Sequence, residues 1–169
     1  MKHLKNLLLT SAIILVCSFN AQAQSKVAHI NTQELVKSMP ETKNAIAEIE
    51  KLKKTYETDI QAMEAELENK YKQYGAEAST KTDEENAKRA QELQGMDQSI
   101  NQYKVQAGQD LQNKQRDLFA PIEEKAINAI LKVGNAQGFD YILDSSQGQG
   151  VIMANGKDLL TDVKSELGF

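Results

Sequence analysis

The 169-residue sequence has no tryptophan, one cysteine, two prolines and two histidines, and only 5% of it is aromatic. The lone cysteine, Cys17, falls in an opening stretch that reads as a removable leader. Lys2 and Lys5 precede an almost wholly apolar run from Leu7 to Phe19, and Ala21-Gln22-Ala23 is a small-x-small cleavage site. These are the parts of a secretory signal peptide, residues 1–23, with cleavage expected after Ala23. The apolar run is well short of the roughly 20 residues that span a bilayer, which argues against a permanent anchor. Val16 is bulky where a lipidation site wants a small residue, so lipid attachment at Cys17 is not expected. Residues 24–169 would then carry no cysteine and a single histidine, His29. A secreted chain without cysteine forms no disulfides and must hold itself together by packing or association. Cys–His nucleophiles, Cys/His zinc sites and histidine-rich metal sites are excluded with it. Losing Lys2 and Lys5 from the 20 basic residues leaves 18 against 24 acidic ones, a net charge of −6. That balance argues against nucleic acid as a partner.

What is present is mostly helical pattern. Val27-Ala28-His29-Ile30 is a short β-like run, with His29 read as a strand side chain. Asn31 and Glu34 then have capping-box spacing for a helix start. This helix should be brief, because Pro40 penalises a helical Met39. From Glu41 onward, Ala45, Ile49, Leu52, Tyr56, Ile60, Met63, Leu67, Tyr71 and Tyr74 recur at steps of three and four. Their mean period is about 3.6, that of an unsupercoiled helix. Glu50–Lys54, Glu66–Lys70 and Glu68–Lys72 stand in the favoured acid-first i,i+4 order on the other faces. Glu41 to Tyr74 would make a rod of roughly 50 Å, longer than any compact domain of this size needs.

Gly75 to Asp83 interrupts the pattern with Gly75, Ser79, Thr80 and Thr82, and a second helix starts at Thr82 or Asp83. Its stripe runs through Leu93, Met96, Ile100, Tyr103, Ala107 and Leu111, then Leu118, Ile122, Ala126, Ile130 and Val133. Eight glutamines between Gln91 and Gln115, at three- and four-residue steps, form a polar, solvated face. Two long helices joined by a short turn make an antiparallel hairpin with a thin apolar stripe and no sustained heptad for pairing with another arm. Gly95 and Gly108 each cost roughly 1 kcal/mol relative to alanine, which should let the outer half bend. Pro121 should kink or restart the second helix and marks the boundary between arm and body.

Gly134, Asn135 and Gly138 end that helix, and Phe139 to Asp144 reads as a strand. Ser145 to Gly150 is a turn, Val151 to Ala154 a further strand, and Asp158 to Leu167 a short amphipathic helix. Three short strands cannot make a stable free sheet with two bare edges, so subunits should join sheets. The expected fold is α+β and mostly α. An arm at 41–120 stands on an oligomerisation body made of 24–40 and 121–169. Val27, Ile30, Tyr141, Leu143, Val151, Met153, Leu159 and Val163 are the apolar residues assigned to that body.

No arrangement of residues supports catalysis or a cofactor. Asp140 and Asp144 flank a strand as end and turn residues, and Gly148-Gln149-Gly150 lacks the third glycine and following helix of a dinucleotide site. Catalytic, cofactor-binding and metal residues are therefore none, and an enzyme is not the expected reading. Met63, Tyr71, Tyr74, Met96 and Tyr103, flexible or amphipathic side chains among charges, are the candidate contact residues. Such surfaces suit loose contact with varied partners.

Local sequence carries a resemblance as well. Val27-Ala28-His29-Ile30-Asn31 leading to Leu35 and Pro40, Leu118-Phe119-Ala120-Pro121-Ile122, the run from Asn135 to Asp144, and Asp158 with Val163 resemble, in that order, the Skp/OmpH family. These are periplasmic chaperones of Gram-negative bacteria. The resemblance implies a homotrimer with a small β-barrel body and three helical arms enclosing a cavity. It implies an ATP-independent holdase there, keeping unfolded outer-membrane proteins soluble in the periplasm. Two departures are visible. Leu160 stands where the family commonly has Thr, so Asp158 is expected to cap the last helix. Net −6 contrasts with strongly basic members, and argues against the lipopolysaccharide or membrane-surface partner that the resemblance also implies. Lys88 and Arg89 would be its residues. The competing class is a non-enzymatic envelope scaffold or adaptor, which would bind one folded partner and gain nothing from arm flexibility.

Overall fold

The computed structural model describes residues 25–169, so the expected leader and its cleavage point lie outside the described residues. In chain order the elements are β1 (Val27–Ile30), α1 (Thr32–Ser38), α2 (Pro40–Glu77), a 3-10 turn (Ala78–Thr80), α3 (Asp83–Gln137), β2 (Tyr141–Asp144), β3 (Lys157–Asp158) and α4 (Leu160–Leu167). The fold is α+β and mostly α, with two long helices, as the sequence pattern implies. Two compact units divide the chain, one of Thr32–Ala129 with Phe169, the other of the residues up to Asn31 with Ile130–Gly168.

In the first unit α1 begins directly after Asn31 and ends at Ser38, whose hydroxyl donates to the Leu35 carbonyl at 2.7 Å. Met39 is extended, with φ −64° and ψ 135°, as the residue before a proline prefers. Pro40 opens α2 at its first turn, where a missing N–H leaves nothing unsatisfied. Thr42 closes the corner by donating its N–H to the Met39 carbonyl at 3.1 Å and its hydroxyl to the Val36 carbonyl. Leu35 and Met39 are fully buried. The 38 residues of α2 make a rod of roughly 57 Å at 1.5 Å per residue. At its end Asn86 Nδ2 donates to the Ala78 carbonyl at 2.9 Å, and Thr82 Oγ1 accepts the Glu85 N–H at 3.2 Å as the α3 cap.

Of the two expectations for Pro121, a kink or a restart, the restart does not occur: α3 continues as one helix through it. Proline removes the bond to the Asp117 carbonyl and crowds it, at about 3 kcal/mol. Buried Ile122 and Ala126 beside it offset part of that cost, the isoleucine by about 1.5–3 kcal/mol and the alanine methyl by about 0.8 kcal/mol. Gly95 and Gly108 lie in open stretches of α3, where an added Cβ would meet nothing within 4 Å. Alanine at both positions is therefore expected to stabilise the helix by about 1 kcal/mol each. Thermal unfolding by circular dichroism should show a higher midpoint, and a lower one would mean the glycines serve a bend the fold requires.

In the second unit the sheet order is β2-β1-β3, with both pairings parallel. Val27 pairs with Tyr141, His29 with Leu143, and His29 also with Asp158. Strand alternation turns Ala28 and Ile30 to the buried face and leaves Val27, Tyr141 and Leu143 on the open one. Outside the strands, Asp140 clips the sheet shut: its carboxylate accepts the Lys26 N–H at 2.7 Å, and its own N–H donates to the Lys26 carbonyl at 2.8 Å. Helix α3 ends in a Schellman turn at Gly138, φ 68°, with Phe139 N–H on the Gly134 carbonyl and Gly138 N–H on that of Asn135. That turn uses Phe139, so the strand expected from Phe139 begins at Tyr141.

The strand expected at Val151–Ala154 does not form among the described residues; Lys157–Asp158 takes the free edge of β1 instead. Leu159 N–H bonds the His29 carbonyl at 3.0 Å and continues that pairing. Val151–Ala154 follows a turn with positive φ at Gly148 and Gly150, and Ile152 and Met153 are exposed. The last helix begins at Leu160, two residues later than expected, with Leu159 at the N-cap rather than Asp158; Asp158, one residue earlier, accepts the Leu160 N–H on Oδ1 at 2.8 Å. Ile30, Leu159 and Val163 are among the fully buried residues of this unit.

Candidate functional site: the hairpin surfaces and the open sheet face

Side-chain pairs fix the register of α2 against α3. Glu41 pairs with Lys125, Glu48 with Lys114, Glu64 with Lys104, Lys70 with Glu92 and Glu77 with Arg89, so partners step backward along α3 as they step forward along α2. The two helices are thus an antiparallel hairpin. On α3 between Asn86 and Lys114 the sheltered positions Asn86, Arg89, Leu93, Met96, Ile100, Tyr103, Ala107, Asp110 and Lys114 follow alternating steps of three and four, with Leu111 half-buried beside them. That is a period of about 3.5, the seam of a coiled coil. The apolar residues alone suggest 3.6, because Asn86, Arg89, Asp110 and Lys114 occupy seam positions.

Of the candidate contact residues, Tyr71 is displaced from the stripe. The seam steps from Leu67 to Lys70, whose ammonium pairs with Glu92, and Tyr71 stands 69% exposed. Tyr74 and Tyr103 are half-buried. Tyr74 donates its hydroxyl to Glu92 Oε2 at 2.7 Å beneath the Arg89 guanidinium, which lies 4.5 Å from its ring centre. Tyr103 meets Tyr56 edge to face, with centroids 5.8 Å apart at 69°. Their hydroxyls bond reciprocally across the hairpin, Tyr56 to Asp110 at 2.9 Å and Tyr103 to Asp59 at 2.7 Å. Met63 and Met96 meet in one shallow groove with Gly95 and Ile100, while Tyr71 lines another with Leu67 and Leu93. The acceptors Asp59, Glu92 and Asp110 are not singled out by sequence reasoning. Only the antiparallel register, which places each opposite a tyrosine, could have found them. Lys88 pairs with Glu84 at 2.8 Å on the surface, whereas Arg89 is turned into the seam on Glu77 at 2.7 Å.

These pairs set the titration of the hairpin. Glu92 is held below the ordinary carboxylate value of 4.5 by Lys70 and then Tyr74. Glu77 is held below it by Gln73 and then Arg89, and Glu41 by Lys125. The phenols of Tyr56, Tyr74 and Tyr103 are pushed above 10.0 by bonding to Asp110, Glu92 and Asp59. A lowered carboxylate gives stability that is complete above its unfolded value and lost as pH falls through its folded one. A raised phenol gives stability complete below its unfolded value and lost as pH rises through its folded one. The hairpin is therefore expected to keep a level thermal midpoint between about pH 5 and 9, and to lose stability on both sides. Melting followed at a series of pH values checks this, and a midpoint that rises on acidification below 4.5 would contradict it.

The body residues divide in two. Ile30, Leu159 and Val163 are buried within the chain, whereas Val27, Tyr141, Leu143 and Met153 are exposed, and Val151 is half-buried. Tyr141 and Leu143 sit two residues apart on β2, and Val27 pairs with Tyr141 in register, so these three make one apolar face of the sheet. Asp140 serves the Lys26 backbone, and Asp144 accepts the N–H and faces the hydroxyl of Ser146 at 2.9 and 2.6 Å. Both are turn carboxylates by their bonding. Among the described residues no three His, Cys, Asp or Glu side chains gather as a metal would need, and no helix is long and apolar enough to cross a membrane.

Comparison with known proteins places this architecture. Residues 26–167 match the OmpH family, described as outer membrane protein (OmpH-like). The chaperone protein Skp of Pectobacterium atrosepticum is 22% identical over 155 residues, covering 92% of this chain and 93% of its own. That of Photorhabdus laumondii is 23% identical with the same coverage. The crystal structure of a candidate outer membrane chaperone (OmpH-like) from Caulobacter crescentus superposes with a TM-score of 0.76. It is 17% identical, over 85% of this chain and 83% of that one.

Proposed function

This chain belongs to the OmpH-like family, and from that premise we propose that it is an ATP-independent periplasmic holdase for unfolded outer-membrane proteins. Its relatives named chaperone protein Skp support the chaperone part of the reading, and they align along nearly their whole length. Its clients would be held between the helical arms of three subunits, by weak contacts that prevent aggregation without imposing a fold. The arm is assigned to residues 41–120 and the trimerising body to 24–40 and 121–169, behind a leader removed after Ala23.

The observation that carries the oligomer is the open sheet face. Val27, Tyr141 and Leu143 are 42%, 59% and 45% exposed on one sheet face, an apolar surface that a second copy would cover. The outer edges of β2 and β3 have no strand partner among the described residues, and a second copy would supply one. Tyr71, Met63 and Met96 are the apolar side chains that the arm offers a client, with Tyr74 and Tyr103 behind them at the seam. The acidic run Glu57, Asp59, Glu64, Glu66 and Glu68 on α2 has no basic residue within it, which disfavours an anionic lipid along that stretch. The test is dilution of a urea-denatured outer-membrane barrel into buffer without ATP. Turbidity should be suppressed at a few-fold excess of this protein, for several unrelated barrels. Protection of one folded partner and of no unfolded barrel would favour the scaffold.

A further inference from the structure

We propose that the outward face of α3 between Gln91 and Gln115 holds an unfolded client by its peptide backbone, through a ladder of side-chain amides. This rests on the holdase reading and names the surface and the chemistry by which it works. All eight glutamines of the stretch are exposed, and they lie opposite the seam residues Leu93, Met96, Ile100 and Ala107. Gln106 donates to Asp110 at 2.8 Å; the other seven have no hydrogen-bond partner among the described residues.

The face carries almost no charge, and the reason lies across the hairpin. Glu92, Lys104, Asp110 and Lys114, the charged residues of the same stretch save Asp97, are drawn to Lys70, Glu64, Tyr56 and Glu48 of α2. Asp97 sits at the flank, on Asn101 Nδ2 at 3.2 Å. What remains outward is glutamine, asparagine, Gly108 and the exposed Val105, while Gly95 and Ser99 line the groove at its flank. On α2 the opposite holds, with five carboxylates from Glu57 to Glu68. A client segment of negative charge is repelled there and meets no charge along the α3 face.

A carboxamide offers both a donor and an acceptor, as every non-proline peptide unit does, so it can pair with backbone of any sequence. The strip is roughly 36 Å long, enough for about ten residues of extended chain. Each bond replaces one to water and is weak alone, so holding requires many in a row, which eight amides provide. The result is retention that ignores client sequence and tolerates salt.

The experiment replaces Gln94, Gln98, Gln102 and Gln109 together by methionine, which keeps length and helix propensity but removes the amide. Retention of a urea-diluted outer-membrane barrel should weaken about tenfold, and the corresponding alanine set should weaken it equally. Equal or tighter retention by the methionine set would overturn the inference in favour of apolar contact, while leaving the holdase reading intact. A changed solution mass with unchanged retention would also overturn it, because the face would then join copies of this chain. Failure of the native protein to retain any barrel would remove the holdase reading and this one with it.

Discussion

Aspartate at both Tyr141 and Leu143 is expected to leave the protein a folded monomer, with a solution mass about one third of the native value. The two side chains stand on the open face of β2, beside Val27 in register, and contribute nothing to the buried face of the sheet. In the isolated chain their replacement therefore disturbs little. Between subunits it would place two carboxylates per copy in an apolar contact, where an unpaired charge costs several kcal/mol. Were a second copy to cover this face, losing Tyr141 and Leu143 from it would add about 1.5–3 kcal/mol each. Client retention should fall with the trimer, because one hairpin encloses nothing. Helicity should stay near native by circular dichroism. A double variant that stays trimeric would move the subunit contact away from this face.

The second large effect is expected at Leu159. Its side chain is fully buried between β3 and α4, and its N–H carries the sheet pairing to the His29 carbonyl. Leu159→Ala should cost about 2–5 kcal/mol, through lost transfer energy and the cavity left behind. In a chain of this size that lowers the thermal midpoint by roughly 10 °C. Tyr71→Ala, at an exposed position outside the seam, is the matching control and should shift it by no more than a degree or two. Equal shifts for the two would mean that α4 is not held by its core. Urea titration measures both, and an unchanged m-value would assign the difference to stability alone.

Much of this was legible because its signals are local. Pro40 announces the extended Met39 and the new helix behind it, since the steric rule acts between adjacent residues. Asp158 meets the first N–H of α4 for the same reason, from the residue before the cap. The hairpin follows from long amphipathic periodicity on either side of one Gly/Ser/Thr-rich break. What escaped depends on partners far along the chain. Lys70 displaces Tyr71 from the seam because Glu92 waits for its ammonium across the hairpin, and an apolar count gives a lysine no place there. The aliphatic stem of lysine can line a seam while its head reaches outward. Lys157 and Asp158 form a strand because β1 has a free edge at Ala28 and His29, although neither residue favours strand by itself. Val151 to Ala154 has the better strand composition and no strand partner among the described residues.

The candidate surface divides in the same way. Gln91 to Gln115 is visible in the sequence as a polar face. That it is charge-free is visible only once Lys104, Asp110 and Lys114 are seen turned toward α2. Pro121 stands inside one continuous helix rather than at a restart, with Ile122 and Ala126 buried beside it.

The most direct test of the whole account is the solution mass of the cleaved protein by light scattering, alone and with a urea-diluted outer-membrane barrel. The account predicts a trimer that gains the mass of one client and keeps it soluble. A monomer that leaves the barrel to precipitate would contradict it.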